Sequence, residues 1–316
     1  MGFQPDVIVA YGGHSAAGVL GARSARRLGV PLVLVEEGAL PSAGAISHLA
    51  AQLMRKLLGS RVRRQVSHLV ALNAVARAQA IQQGYGVEQI EVLPPGVDLE
   101  RFRPGLRSEL MRGHGVRGHT LLVTRALEAD RGLEQVLDAF ANTVGRREDW
   151  ALVFAGDGPH RAALHAQAAR LGVGAHVHWI GALREEELPG LFGSATLLLV
   201  PGPDSTRAAQ HLRCAAACGL PAIAVDEVRF SDLVENDRNG LLVNHCAGED
   251  WVRALERAAG SPKARERWGE RARELAEERF AWPTIAARFA ELLGDVSSRK
   301  IEPAPSRRLG LLRRRA

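Results

Sequence analysis

The chain has 316 residues, 46% of them hydrophobic and 24% charged, with three cysteines. That is enough apolar material for a sizeable core in more than one domain, and it excludes both wholesale disorder and a disulfide-framed scaffold. The net charge of +6 belongs to the C-terminal tail, where seven basic residues face one acid from Ser297 onward; the nearly neutral remainder, without a reader motif, excludes nucleic acid as a partner.

In chain order, short apolar runs alternate with amphipathic stretches, the rhythm of parallel sheets covered by helices. Residues 6–10 (DVIVA) read as a strand, 16–28 as a helix and 31–35 (PLVLV) as the next strand. A longer helix is expected over about residues 47–65, basic with interleaved apolar residues across 54–64. Strand 68–72, a helix to about 83 and strand 90–93 follow, before Pro94, Pro95 and Gly96 break the pattern. Residues 98–118 read as a linker. The rhythm restarts at 120–124 (TLLVT), with a helix over 132–144 and a strand over 150–155 that ends in Gly156-Asp157-Gly158-Pro159. Pro159 suits the first turn of a helix reaching residue 171. Strands at 176–180, 196–200, 221–225 and 241–243 and helices at 251–259, 264–280 and 284–293 complete the chain. No apolar run approaches the roughly 18 residues of a membrane-spanning helix, and the N-terminus lacks the pattern of a signal peptide. The expected setting is cytoplasmic.

Four segments are informative together. They are Pro94-Pro95-Gly96-Val97-Asp98 with Phe102 and Pro104, Gly156-Asp157-Gly158-Pro159, Cys218-Gly219-Leu220-Pro221-Ala222-Ile223-Ala224, and Glu235-Asn236-Asp237-Arg238-Asn239-Gly240-Leu241-Leu242-Val243. In this order they are similar to the PNGVD…F.P, GxGP, CGxPVIA and EDGxNGLLV segments of retaining, family-4-type (group 1) glycosyltransferases. The resemblance implies a GT-B-like α/β fold with two Rossmann-like parallel-sheet domains, the N-terminal one incomplete because about three βα units of a full acceptor domain have no counterpart. It implies a partial acceptor-side domain over 1–104, a donor-binding domain over 105–280, a helix over 281–296 returning toward the N-terminal domain, and a basic tail over 297–316. The implied reaction moves a sugar, with retention, from a nucleotide-diphosphate sugar to a glycan, lipid or small-molecule acceptor, with no bound cofactor and no metal.

The same resemblance assigns residues. Arg125 and Arg131 stand where the family holds the donor diphosphate, and paired guanidinium groups suit phosphate oxygens and a leaving-group charge. Ser205, Thr206 and Arg207 form the helix start approaching the phosphates, and Gly156, Gly158 and Cys214 fall on the donor cleft. Gly13 and His14 fall on the acceptor side. The departures are as informative. The family's two glutamates, eight positions apart, are Thr206 and Cys214 here, its usual glycines are Arg207 and Ala209, and its GG pair is Val228-Arg229. Glu37 occupies the position of a functional histidine and is the candidate catalytic group. These departures keep open a second reading, a catalytically impaired relative acting as a binding or partner subunit, and a third, a sugar-nucleotide epimerase.

Other constellations carry less. His211, Cys214 and Cys218 share one helical face, without the fourth ligand or spacing of a zinc site, so they read as a packed face rather than a metal centre. Gly12, Gly13 and Gly18 do not form a dinucleotide fingerprint. Two contacts complete the expectations. One is peripheral attachment to the inner face of a membrane through residues 54–64 and the basic tail. The other is a protein partner covering the open edge of the N-terminal sheet.

Overall fold

The structure is a computed structural model and describes residues 4–13, 15–38, 60, 62–129, 132–202, 206–244 and 247–298, without the side chain of Thr206. Most of the long helix expected from residue 47, including residues 54–59 and 61 of its basic stretch, and the tail beyond 298 lie outside the described residues. The chain divides into two compact units, one of Met1–Pro94 with Ala286–Ala316 and the other of Pro95–Ile285. No described helix is long and apolar enough to cross a membrane.

The smaller unit contains β1 (Ile8–Tyr11), α1 (Ala16–Leu28), β2 (Leu32–Glu36), β3 (Val66–Ala71), α2 (Ala74–Gln82) and β4 (Ile90–Val92). The four strands pair in parallel in the order β1-β2-β3-β4. Alternation along β2 sends Leu32 and Leu34 to one face, where they meet Ala22 and Ala25 of α1 and Ala76 and Ala80 of α2. Val33 and Val35 go to the other face and pack with Val70, Leu93, Leu292 and Val296. Both faces are therefore covered, which is why this strand reads as an unbroken apolar run. Caps fix the helix starts: Ser15 Oγ accepts from Gly18 N at 3.1 Å, and Asn73 Oδ1 from Ala76 N at 2.9 Å.

The larger unit begins with the segment expected as a linker, which holds a short helix, α3 (Glu109–Gly113), capped by Ser108. There follow β5 (His119–Val123), α4 (Leu133–Asn142), β6 (Trp150–Phe154), α5 (Arg161–Arg170), β7 (Val177–Trp179), α6 (Leu188–Ser194), β8 (Leu197–Val200), α7 (Thr206–Ala217), β9 (Ala222–Val225), β10 (Gly240–Val243), α8 (Gly248–Gly260) and α9 (Pro262–Arg279). The six strands, all parallel, run in the order β10-β9-β8-β5-β6-β7. The last helix, α10 (Trp282–Ser298), starts in this unit, and from Ala286 onward it belongs to the smaller one.

This unit starts ten residues before the boundary read from the sequence. Val97 N donates to Phe280 O at 2.7 Å and Trp282 N to Val97 O at 3.2 Å, while Phe102 is buried with its ring 6.3 Å from that of Phe192. Residues 95–104 thus belong to the packing of the larger unit.

His119 is one of two histidines, with His178, that burial couples to pH in this unit. The His119 ring lies 4.8 Å from Trp150, and burial, followed by the Arg265 charge, holds its pKa below the ordinary 6.5. The unfolded chain then binds the proton more readily, so stability is complete above about pH 6.5 and falls as the pH drops toward the folded-state value. Denaturant melts at pH 7.5 and 5.5 should show the loss, and His119→Gln should reduce it; an unchanged loss would assign it elsewhere.

Candidate functional site

Chain order reverses at β5 in the larger sheet: β6 lies on one side of it and β8 on the other. The loops leaving the carboxyl ends of β5 and β8 diverge there, and such a switch point is where open α/β sheets take ligands. A small cleft occupies the spot, lined by Thr124, Arg125, Leu199, Val200, Ala208 and His211.

Arg125 is half-buried just past β5, and its Nη1 donates to the carbonyl of Pro201, just past β8, at 3.2 Å. The guanidinium is thus held across the mouth of the switch point by backbone. His211, one turn into α7, holds the neighbouring position. Its Nδ1 lies 3.1 Å from Thr124 O and 2.9 Å from Thr124 Oγ1; a carbonyl only accepts, so Nδ1 carries the proton. Phe192 meets the ring edge-on at 5.7 Å. Sequence reasoning weighed His211 as a metal ligand and read it as part of a packed face. Its position on a helix face gives no sign that it clamps the end of β5.

The Gly156–Pro159 turn forms the adjoining wall through its backbone. Leu127 N donates to Asp157 O at 3.0 Å and His160 N to Leu127 O at 2.9 Å, so the loops after β5 and β6 are laced together. A Cβ at Gly156 would stand 1.8 Å from Arg125 O, and one at Gly158 2.3 Å from Leu127 O. Only glycine allows that approach. The lacing also corrects one expectation: Pro159 sits in a turn ahead of α5, which starts at Arg161, because His160 N is drawn to Leu127 instead of into a helix.

On the third side, α7 carries Arg207 and Arg213 and no acid, and its N-terminal end presents partial positive charge. Arg207 is exposed. Arg131, Ser205, His14 and the side chain of Thr206 lie outside the described residues. Cys214, two turns along α7, is buried, as is Cys218, and burial pushes each thiol up to about 12. Both stay protonated at neutral pH and are inert as nucleophiles or ligands. Among the described residues no group of three or more His, Cys, Asp or Glu converges on a metal position.

In the smaller unit, the inward carboxylate at the end of β2 is Glu36. Gly13 N donates to its Oε1 at 2.6 Å, and Tyr85, pushed up to about 12 by burial and then by the Glu36 charge, stands beside it. Glu37 is exposed; its backbone carbonyl accepts from Asn73 Nδ2 at 2.7 Å.

Two parallel α/β units, one with a cationic switch point walled by close-approach glycines, form the doubly wound architecture in which open α/β sheets take their ligands. The chain belongs to the group 1 glycosyltransferases: the family model described as "Glycosyl transferases group 1" matches residues 113–275, and "Glycosyl transferase 4-like domain" matches 1–96. Among curated relatives, it is 30% identical over 224 residues to a GDP-mannose-dependent alpha-(1-6)-phosphatidylinositol monomannoside mannosyltransferase of Mycobacterium tuberculosis, covering 66% of this chain and 57% of that one. It is 29% identical over 243 residues to a D-inositol 3-phosphate glycosyltransferase of Rhodococcus erythropolis, covering 73% and 54%. The chain thus spans little more than half the length of these relatives. Its fold is similar to that of HepE of Anabaena, solved in complex with UDP, with a TM-score of 0.75 at 22% identity over 91% of this chain and 79% of the other.

Proposed function

We propose that the chain transfers a sugar, with retention of configuration, from a nucleotide-diphosphate sugar to a glycan, lipid or small-molecule acceptor. The observation that carries this reading is Arg125, held half-buried at the switch point by the Pro201 carbonyl. A guanidinium fixed there offsets charge on a leaving diphosphate without reorganising. Exposed Arg207 and the start of α7 add positive charge on the neighbouring side. The family resemblance assigns Arg131, Ser205 and Thr206 to the same diphosphate, while Gly156 and Gly158 keep the wall of the cleft thin enough for the two loops to touch. In the smaller unit, Gly13 and His14 remain the acceptor-side assignment and Glu37 the catalytic one, and Glu36 joins them on the strength of its bond to Gly13. The names of the curated relatives make an inositol-bearing acceptor the first to test.

The experiment is calorimetric titration of UDP and GDP into the protein and into Arg125→Ala. Binding should weaken by at least about tenfold, or ~1.4 kcal/mol, in the variant. Equal affinities would remove the diphosphate from this edge. Donor panels read by mass for glycosylated product then test transfer, and the anomeric proton couplings of the product test retention.

A further inference from the structure

The carboxyl edge of the smaller sheet carries two polar side chains that the donor site does not use, Glu36 and Tyr85. The Glu36 carboxylate is located by Gly13 N, which donates to its Oε1 at 2.6 Å, and no ion pair forms to it among the described residues. Tyr85 is 7% exposed, its ring packed in the core that Leu34, Ala76 and Ala80 share. Its hydroxyl has no hydrogen-bond partner among the described residues, yet it keeps a path to solvent. Gly13 shows where the two groups meet: a Cβ there would stand 2.8 Å from Glu36 Oε1 and 3.8 Å from the Tyr85 hydroxyl oxygen. Both therefore flank the loop that leaves β1, at the end of the sheet where open α/β folds take ligands. A nearly buried phenol ordinarily finds a hydrogen-bond partner, and here the described chain leaves that partner to come from outside.

Neither group is loosely held. Glu36 ends β2 in register with Ala71 of β3. Tyr85 N donates to Ala80 O at 3.1 Å, and Arg63 Nη1 donates to the carbonyl of Gln83, which ties down the loop between α2 and β4. Burial, and after it the Glu36 charge, pushes Tyr85 up to about 12, so the phenol keeps its proton at neutral pH and can donate. The Glu36 carboxylate only accepts. The complement of one donor and one acceptor side by side is an alcohol hydroxyl, which accepts from the phenol and donates to the carboxylate. Charge narrows the class further. Glu36 repels an anion, and the Arg63 guanidinium, whose charge also reaches Tyr85, repels a cation. A neutral hydroxyl meets neither penalty.

We infer that Glu36 and Tyr85 form a hydroxyl-binding pair for an uncharged polyol, a sugar or cyclitol ring, and that they select this class of acceptor. The inference rests on the transfer reading above, in which this unit takes the acceptor. The chain has two tyrosines, Tyr11 and Tyr85, so ring-labelled tyrosine gives two sets of NMR signals, assigned with Tyr11→Phe. Titration with myo-inositol or with glucose should move the Tyr85 signals. Glucuronate and glucosamine, charged rings of similar size, should bind at least about fivefold more weakly than glucose. Affinities of the variants are read from the ligands' own signals. Glu36→Gln should weaken the neutral polyols by at least about tenfold and remove the penalty on glucuronate. Tyr85→Phe should weaken them by about fivefold, with melting temperature and UDP and GDP affinities as in the wild-type protein. No movement of Tyr85 with either polyol overturns the inference, whatever the variants do. So does a wild-type protein that binds glucuronate or glucosamine as tightly as glucose, or a Tyr85→Phe protein that binds the polyols at full affinity. Nucleotide titration separates the two readings. Polyol binding without UDP or GDP binding removes the transfer reading and supports the pair, while nucleotide binding without polyol binding removes the pair alone.

Discussion

Gly156→Ala is expected to destabilise the larger unit by about 3 kcal/mol, at the upper end of what overpacking costs, and to weaken nucleotide binding along with it. An added methyl would meet the Arg125 carbonyl oxygen at 1.8 Å and its carbon at 2.8 Å. Backbone atoms cannot swing aside as a side-chain tip does. The loops on either side are pinned as well, by Ala155 N to Val123 O at 2.8 Å and Leu127 N to Asp157 O at 3.0 Å. Relief therefore requires the ends of β5 and β6 to part, which moves Arg125 off Pro201. Stability and affinity should fall together because one displacement causes both. Denaturant melts and UDP or GDP titration measure the two effects. Gly260→Ala, where an added methyl meets nothing within 4 Å, is the control and should stay within about 0.5 kcal/mol of wild type. A Gly156→Ala protein as stable as that control would mean the two loops are not in contact.

The βα rhythm was legible because buried parallel strands must be apolar on both faces, and runs such as TLLVT show it without any partner in view. Arg125 was assigned by the family resemblance, as a cation just past a recognisable strand. The switch point was not. Nothing in residues 119–123 or 197–200 states that these two strands are neighbours, since pairing of strands separated by more than seventy residues is a tertiary outcome. The carboxylate at the end of β2 shows how a one-residue shift matters. With the strand read as ending at Val35, both glutamates seemed to lie in a loop, whereas a strand running to Glu36 places that residue on the face of Leu32 and Leu34, beside Gly13. Tyr85 reaches the same spot from the loop between α2 and β4, and no periodicity announces that. Arg229 was visible as an unusual residue in a glycine position. Its burial was not, because charge in a sequence ordinarily means surface.

Trp268→Ala is expected to have the largest effect of any single change considered, about 4 kcal/mol in the larger unit, within the range for truncating a fully buried aromatic. Trp268, on α9, is fully buried. Its indole Nε1 donates to Asp237 O at 3.1 Å, and the Arg257 guanidinium lies 5.8 Å from its ring. Asp237 has a left-handed backbone, φ 61°, unfavourable for a residue with a side chain, and Arg257 Nη2 stands 2.5 Å from its carboxylate. Trp268 and Arg257 together hold a strained turn that closes the loop running from β9 to β10, the loop that bears Arg229. Trp268→Phe keeps most of the apolar burial and forfeits the indole bond, so it should cost about 1–2 kcal/mol. The two variants should differ in a second way. Removing the whole ring frees the loop, so trypsin should cut Trp268→Ala after Arg229 and Arg238 under native conditions while sparing the wild-type protein and, largely, Trp268→Phe. If Trp268→Ala lost less than about 1 kcal/mol, or lost stability without exposing those bonds, the loop would be anchored elsewhere.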